Sequence, residues 1–136
     1  MNKVVKVAVG VIIRESEKLG REYFLTKRLQ HVHQGDKWEF PGGKVEIDET
    51  IAQALARELK EEVAIEVMSC QPLITISHDY IDKSVCLEVY IINHYIGEPS
   101  AQEGQGQGWF SLEQLKKLAF PEANKAIIAE LIKQAG

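Results

Sequence analysis

The sequence predicts an α/β sandwich in which a mixed β-sheet lies between helices. Two observations carry this expectation. Strand-like and helix-like segments follow one another as strands, helix, strands, helices, the order of a sheet covered on its faces. The chain has 136 residues, 45% of them hydrophobic, enough to bury one core in one domain spanning 1–136.

Lys3 to Ile13 is rich in Val and Ile and reads as a strand interrupted near Gly10. "RESEKLGRE" is a polar turn, and "YFLTKR" is a second strand returning along the first. "LQHVHQGDK" reads as a loop. "WEF" is a short strand that stops at Pro41, Gly42 and Gly43. "KVEIDE" leads into a helix placed at Thr50 to Val63. "LITISHDY" and "VCLEVYIINHYI" form an antiparallel pair around "IDKS". "GEPSAQEGQGQG" is a loop with four glycines. A helix follows at Leu112 to Leu118, where Ser111 and Gln114 fit a capping box. The last helix starts near Pro121, with Ile127, Ile128, Leu131 and Ile132 on its apolar face.

Charged residues make up 26% of the chain, an ordinary globular composition. No apolar run approaches the roughly 20 residues needed to span a bilayer, so no membrane partner is expected. "MNKVVKVAVGVIIRE" reaches charge too early for a signal peptide. Cys70 and Cys86 match no metal spacing and read as free thiols in a reducing cytoplasm. The net charge of −4 argues against binding polymeric nucleic acid, which needs Lys and Arg at the phosphates. It leaves room for a small phosphorylated ligand if a bound cation supplies positive charge.

The stretch "RELKEEVAI", Arg57 to Ile65, poses an energetic problem. On a helical wheel with Ile51 at zero, Leu55, Leu59, Ala52 and Val63 fall between about 40° and about 120°, the core stripe. Glu58 falls at about −20°, Glu62 at about 20° and Glu61 at about −80°. Like charges at these spacings cost roughly 0.2–0.5 kcal/mol per pair when exposed. Partial burial costs more, because a desolvated carboxylate needs a partner. Lys60 faces away, and Arg57 is one cation against three anions. Two readings stand at this point: a solvated helix face, or a site for a hard divalent cation, which prefers oxygen ligands.

Gly43, Glu49, Arg57, Glu58, Leu59, Glu61, Glu62 and Ile65 fall as G-x5-E-x7-R-E-L-x-E-E-x-A-I. This resembles the signature box of the Nudix hydrolase family, and every fixed position matches except Ala64, where the family has Gly. "AVGVII", "WEFPGGKVE", "GWFSLEQL" and "FPEAN" extend the likeness over nearly the whole chain. They resemble the family's 8-oxo-dGTP diphosphatase branch. The resemblance implies the Nudix α/β/α sandwich and a metal-dependent hydrolase for a nucleoside triphosphate. The products would be 8-oxo-dGMP and pyrophosphate; CTP or another modified pyrimidine nucleotide is the alternative substrate.

The same resemblance implies roles for individual residues. Glu58, Glu61, Glu62, Glu103 and the Gly42 carbonyl would bind Mg2+, with Mn2+ as the alternative. Glu58 and Glu103 are the candidates for the general base. Arg57 and Glu49 would pair to orient the box around Gly43. Arg28, Phe40, Lys83 and Asn124 would hold the substrate. A monomer is expected, a dimer being the alternative. Competing readings stay open: Phe40 as a core aromatic, Arg28 as a surface charge, Glu103 as an acid on a mobile loop, and Asn124 as a helix-start residue. His31 and His33 in "HVH" raise a metal reading, but no cysteine or third histidine stands nearby. At Ala64, a left-handed helix end would cost alanine roughly 1–2 kcal/mol.

Overall fold

A computed structural model describes residues 4–18, 20–29 and 36–135. His31 and His33 lie outside the described residues. Strand β1 (Val4–Ser16) is the hub of the sheet. It pairs antiparallel with β2 (Gly20–Lys27) and β4 (Gly42–Lys44), and parallel with β6 (Ser84–Ile96). β5 (Glu66–Asp79) lies antiparallel to β6 at one edge. β3 (Trp38–Glu39) and β7 (Gly106–Ser111) both pair with β2. The sheet is therefore mixed, as the sequence predicts.

Helix α1 (Ile51–Val63) covers one face of the sheet, burying Leu55, Leu59 and Val63 against Ala8, Ile12, Phe24 and Ile92. The opposite face, Val9, Val11, Leu25 and Val89, packs with Leu115 of α2 (Leu112–Leu115). It also packs with Ile127 and Leu131 of α3 (Glu122–Ala135). Covering both faces explains why residues 8–12 of β1 are continuously buried rather than alternating. Among the described residues no helix is long and apolar enough to cross a membrane. Cys70 and Cys86 are free and partly buried.

Several boundaries differ from the sequence expectation. β1 runs unbroken through Gly10. There, a Cβ would stand 2.8 Å from a Leu59 methyl carbon, so glycine marks the close approach of α1. The chain does not leave the sheet at Gly42 and Gly43, because these residues pair with β1 as β4. The last quarter of the expected glycine-rich loop, Gly106 to Gly108, opens strand β7, whose backbone bonds to β2 outweigh the weak strand propensity of "GQG". On α1, Ala52 is exposed and Ala54 is buried. The buried arc thus spans about −60° to about 120°, and Glu58 and Glu62 lie inside it. α2 is shorter than expected but keeps its Ser111–Gln114 capping box. Ile132, assigned to the apolar face of α3, is 38% exposed.

Candidate active site

The first part of the site is the junction of α1 with β4. Thr50 caps the start of α1, and Gln53 completes a capping box. Arg57 then grips Glu49 with two bonds, Nε to Oε2 at 2.8 Å and Nη2 to Oε1 at 2.9 Å. Its other contacts are Glu58 at 2.8 Å, Glu61 at 3.7 Å and Glu46 at 3.8 Å. The Arg57 hydrogen bonds hold the Glu49 carboxyl down at about 2. They also pull the β4–α1 loop onto the helix, since Arg57 bonds the Lys44 carbonyl as well.

Gly43 leaves room for the Glu58 carboxylate. A Cβ there would come within 2.2 Å of the Glu58 carboxyl carbon. Glu62 sits deeper and accepts the Gly42 N–H. It has no ion-pair partner among the described residues. Burial, together with the negative charges of Glu39, Glu103 and Glu58, pushes its carboxyl up to about 8. Glu58, Glu62, Glu103 and Glu39 thus form an oxygen-rich region in which Arg57 pairs with Glu58 and Arg28 with Glu39 while Glu62 has no such partner among the described residues, and that donor chemistry fits a hard divalent cation. Among the described residues no three such side chains are close enough to enclose a cation. Arg57 occupies one Glu58 oxygen, and the Glu61 side chain is 64% exposed.

The second part is a cleft of about 200 Å³ that begins at Gly42 and Gly43. Arg28, Phe40, Lys83 and Asn124, expected at the substrate from sequence, all line it. Asn124 opens the first turn of α3, and its Oδ1 accepts the backbone N–H of Phe40 at 3.3 Å. That donor fixes which way the amide points, leaving Nδ2 free to donate. The Phe40 ring is 3% exposed and stacks on Phe120, so this residue is both a core aromatic and a wall of the cleft. Arg28 bonds Glu39 at 2.8 Å. Burial raises the Glu39 carboxyl, and Arg28 opposes that shift.

Glu39, Lys44 and Tyr80 also line the cleft but escaped sequence reasoning. Glu39 carried a usable signal: an acid between two aromatics in "WEF", directly before Pro-Gly-Gly. Tyr80 follows a strand and gave none. Its hydroxyl accepts the Ala123 N–H at 3.1 Å and pins the start of α3 beside the cleft.

Glu103 is exposed on the connection between β6 and β7. That connection is tied down rather than loose. The Ser100 and Gln102 N–H groups donate to the carbonyls of Val63 and Glu62, at 2.9 and 3.0 Å. The helix end that provides these carbonyls is left-handed: Ala64 has φ 61° and ψ 33°. Its N–H points to the carbonyls of Leu59 and Lys60.

A sheet between helices, with an acidic helix edge meeting a cation-lined cleft, defines a phosphate-handling α/β fold. The NUDIX domain model matches residues 8–130, and the chain belongs to the Nudix family. It is similar to the 8-oxo-dGTP diphosphatase of Escherichia coli, 38% identical over 95% of this chain and 97% of the relative. A CTP pyrophosphohydrolase of the same organism is 32% identical over 82% of this chain and 79% of its own. A solved MutT structure, from work on the Aliivibrio salmonicida and Vibrio cholerae proteins, superposes with a TM-score of 0.81. That match has 35% identity and covers 97% of this chain and 99% of that one.

Proposed function

We propose that this Nudix enzyme hydrolyses 8-oxo-dGTP to 8-oxo-dGMP and pyrophosphate, using Mg2+ or Mn2+, as a cytoplasmic monomer. The observation that carries the reading is the contact between the acidic edge of α1 and the cleft, made through Gly42 and Gly43. Similarity to 8-oxo-dGTP diphosphatases supports it.

Glu58, Glu61, Glu62, Glu103 and the Gly42 carbonyl would hold the cation. Bound there, a divalent ion neutralises phosphate oxygens and lowers the pKa of water. Water attacks the β-phosphorus and its proton passes to Glu58 or Glu103; the bond from that phosphorus to the α–β bridging oxygen breaks, 8-oxo-dGMP leaves, and the new P–O bond stays in pyrophosphate. Lys83 and Arg28 meet the negative charge of the nucleotide. Arg57 keeps the Glu58 carboxylate over Gly43 and Glu49 keeps Arg57 in place.

Asn124 accounts for base choice. Guanine shows two acceptors, O6 and N7, on its major-groove edge. Oxidation at C8 places a proton on N7, so that edge becomes one acceptor and one donor. Asn124 Nδ2 donates to O6, and the second lone pair of Oδ1 accepts from N7–H. With normal guanine, Oδ1 would face another acceptor. Asn124→Ala should lower the kcat/KM preference for 8-oxo-dGTP over dGTP. An unchanged ratio would remove Asn124 from base selection. The wider test is a pyrophosphate-release panel with 8-oxo-dGTP, dGTP, CTP, dCTP and ADP-ribose. Strong preference for 8-oxo-dGTP is expected, whereas a pyrimidine-led profile would favour the CTP reading.

A further inference from the structure

The connection that carries Glu103 is short, polar and bounded by glycines in left-handed conformations, Gly97 at φ 104° and Gly104 at φ 78°. Such a segment has little apolar surface to hold it in one shape. Pro99 is its one buried residue, and four consecutive amides, all satisfied, hold the stretch that follows. Ser100 and Gln102 donate to the end of α1. Ala101 donates to Gln107 Oε1 at 2.5 Å, and Glu103 donates to Gln105 Oε1 at 2.8 Å. Two of the four acceptors are therefore glutamine side chains, which can be altered without touching the backbone.

Gln107 is well placed for this. It lies on β7 opposite Thr26. By the two-residue alternation of a strand it shares the side of Trp109, which packs with the α1 cluster. Its carboxamide thus reaches from the rigid sheet to the middle of the loop, between the two amides held by α1. Gln105 reaches back only two residues and shapes the turn locally.

We propose that Gln107 is a positioning residue: it fixes the Ala101 amide and so holds Glu103 beside Glu62. This rests on the reading of Glu103 as part of the catalytic site. What the role demands of residue 107 is an acceptor oxygen at that reach. Glutamate provides one; leucine, of similar size, does not.

The experiment compares Gln107→Leu, Gln107→Glu, Glu103→Gln and the double variant Gln107→Leu/Glu103→Gln, each read in two ways. By amide hydrogen exchange, Ala101 should exchange about tenfold faster in Gln107→Leu, as a local opening. Gln107→Glu should restore protection, and core amides of β1 and β6 should stay protected in both. By pyrophosphate release from 8-oxo-dGTP, Gln107→Leu should lower kcat about tenfold with KM nearly unchanged, since only positioning is lost. Gln107→Glu should recover most of that rate. In the Glu103→Gln background, Gln107→Leu should add no further loss. Equal losses in both backgrounds would overturn the proposal while leaving Glu103 in the site, as would unchanged Ala101 exchange in Gln107→Leu. Full activity of Glu103→Gln would overturn it by removing Glu103 itself from catalysis.

Discussion

Ala64→Gly should make the protein more stable. Ala64 closes α1 at φ 61° and ψ 33°, where a Cβ crowds the following carbonyl and costs about 1–2 kcal/mol. Glycine removes that cost. It also adds conformational freedom to the unfolded chain, which offsets about 0.4–1 kcal/mol. Ala64 is exposed, so deleting its methyl group leaves no cavity. The net gain is about 0.5–1 kcal/mol, or about 2–3 °C in Tm for a domain of this length. Thermal unfolding followed by circular dichroism measures it. Ala64→Val is the counter-test, since a β-branched side chain at positive φ should lower Tm. A lower Tm for Ala64→Gly would refute the reasoning and mean that strain at the helix end is not what distinguishes alanine here.

Two further outcomes follow from the junction of α1 with β4. Gly43→Ala should reduce kcat by at least tenfold, because the new Cβ would collide with the Glu58 carboxylate. Initial rates of pyrophosphate release check this, and an unaffected kcat would mean that the position of Glu58 does not matter. Glu49, held at about 2 by Arg57, binds its proton less readily folded than unfolded, where the ordinary value is 4.5. Its contribution to stability is present above pH 4.5 and is lost as pH falls through about 2. Glu49→Gln should therefore flatten the acid limb of Tm against pH over that window; an identical acid limb would contradict the assigned ion pair.

How much of this was legible from residues alone depended on whether a feature was local. The period of α1, the capping box at Ser111 and Gln114, and the hairpin around "IDKS" are short-range patterns, and each stands in the structure. The left-handed end at Ala64 was suggested by the resemblance, whose box has glycine at that position, and the structure places Ala64 there at positive φ. Strands β4 and β7 were not legible. Their glycines have no intrinsic preference for extended structure, and only pairing with β1 and β2 makes them strands. At the site, the box acids were visible as a sequence pattern. Glu39 was not assigned, because its importance comes from lying near Glu62, a contact across the fold. The binding of the Glu103 loop to the end of α1 was likewise invisible. It runs through backbone amides, which carry no residue identity.

The most direct measurement is the turnover of 8-oxo-dGTP by Glu58→Gln under saturating Mg2+, alongside its Tm. Glu58 lies inside the buried arc of α1, against Gly43 and on Arg57, where the helix meets the cleft. The expected result is a fall in kcat of about 10²–10³-fold, the size seen when a positioned acid–base or charge-stabilising group is removed, with the Tm within a few degrees of the parent. Near-parental turnover by Glu58→Gln would contradict the assignment of the α1 acidic edge as the centre of hydrolysis.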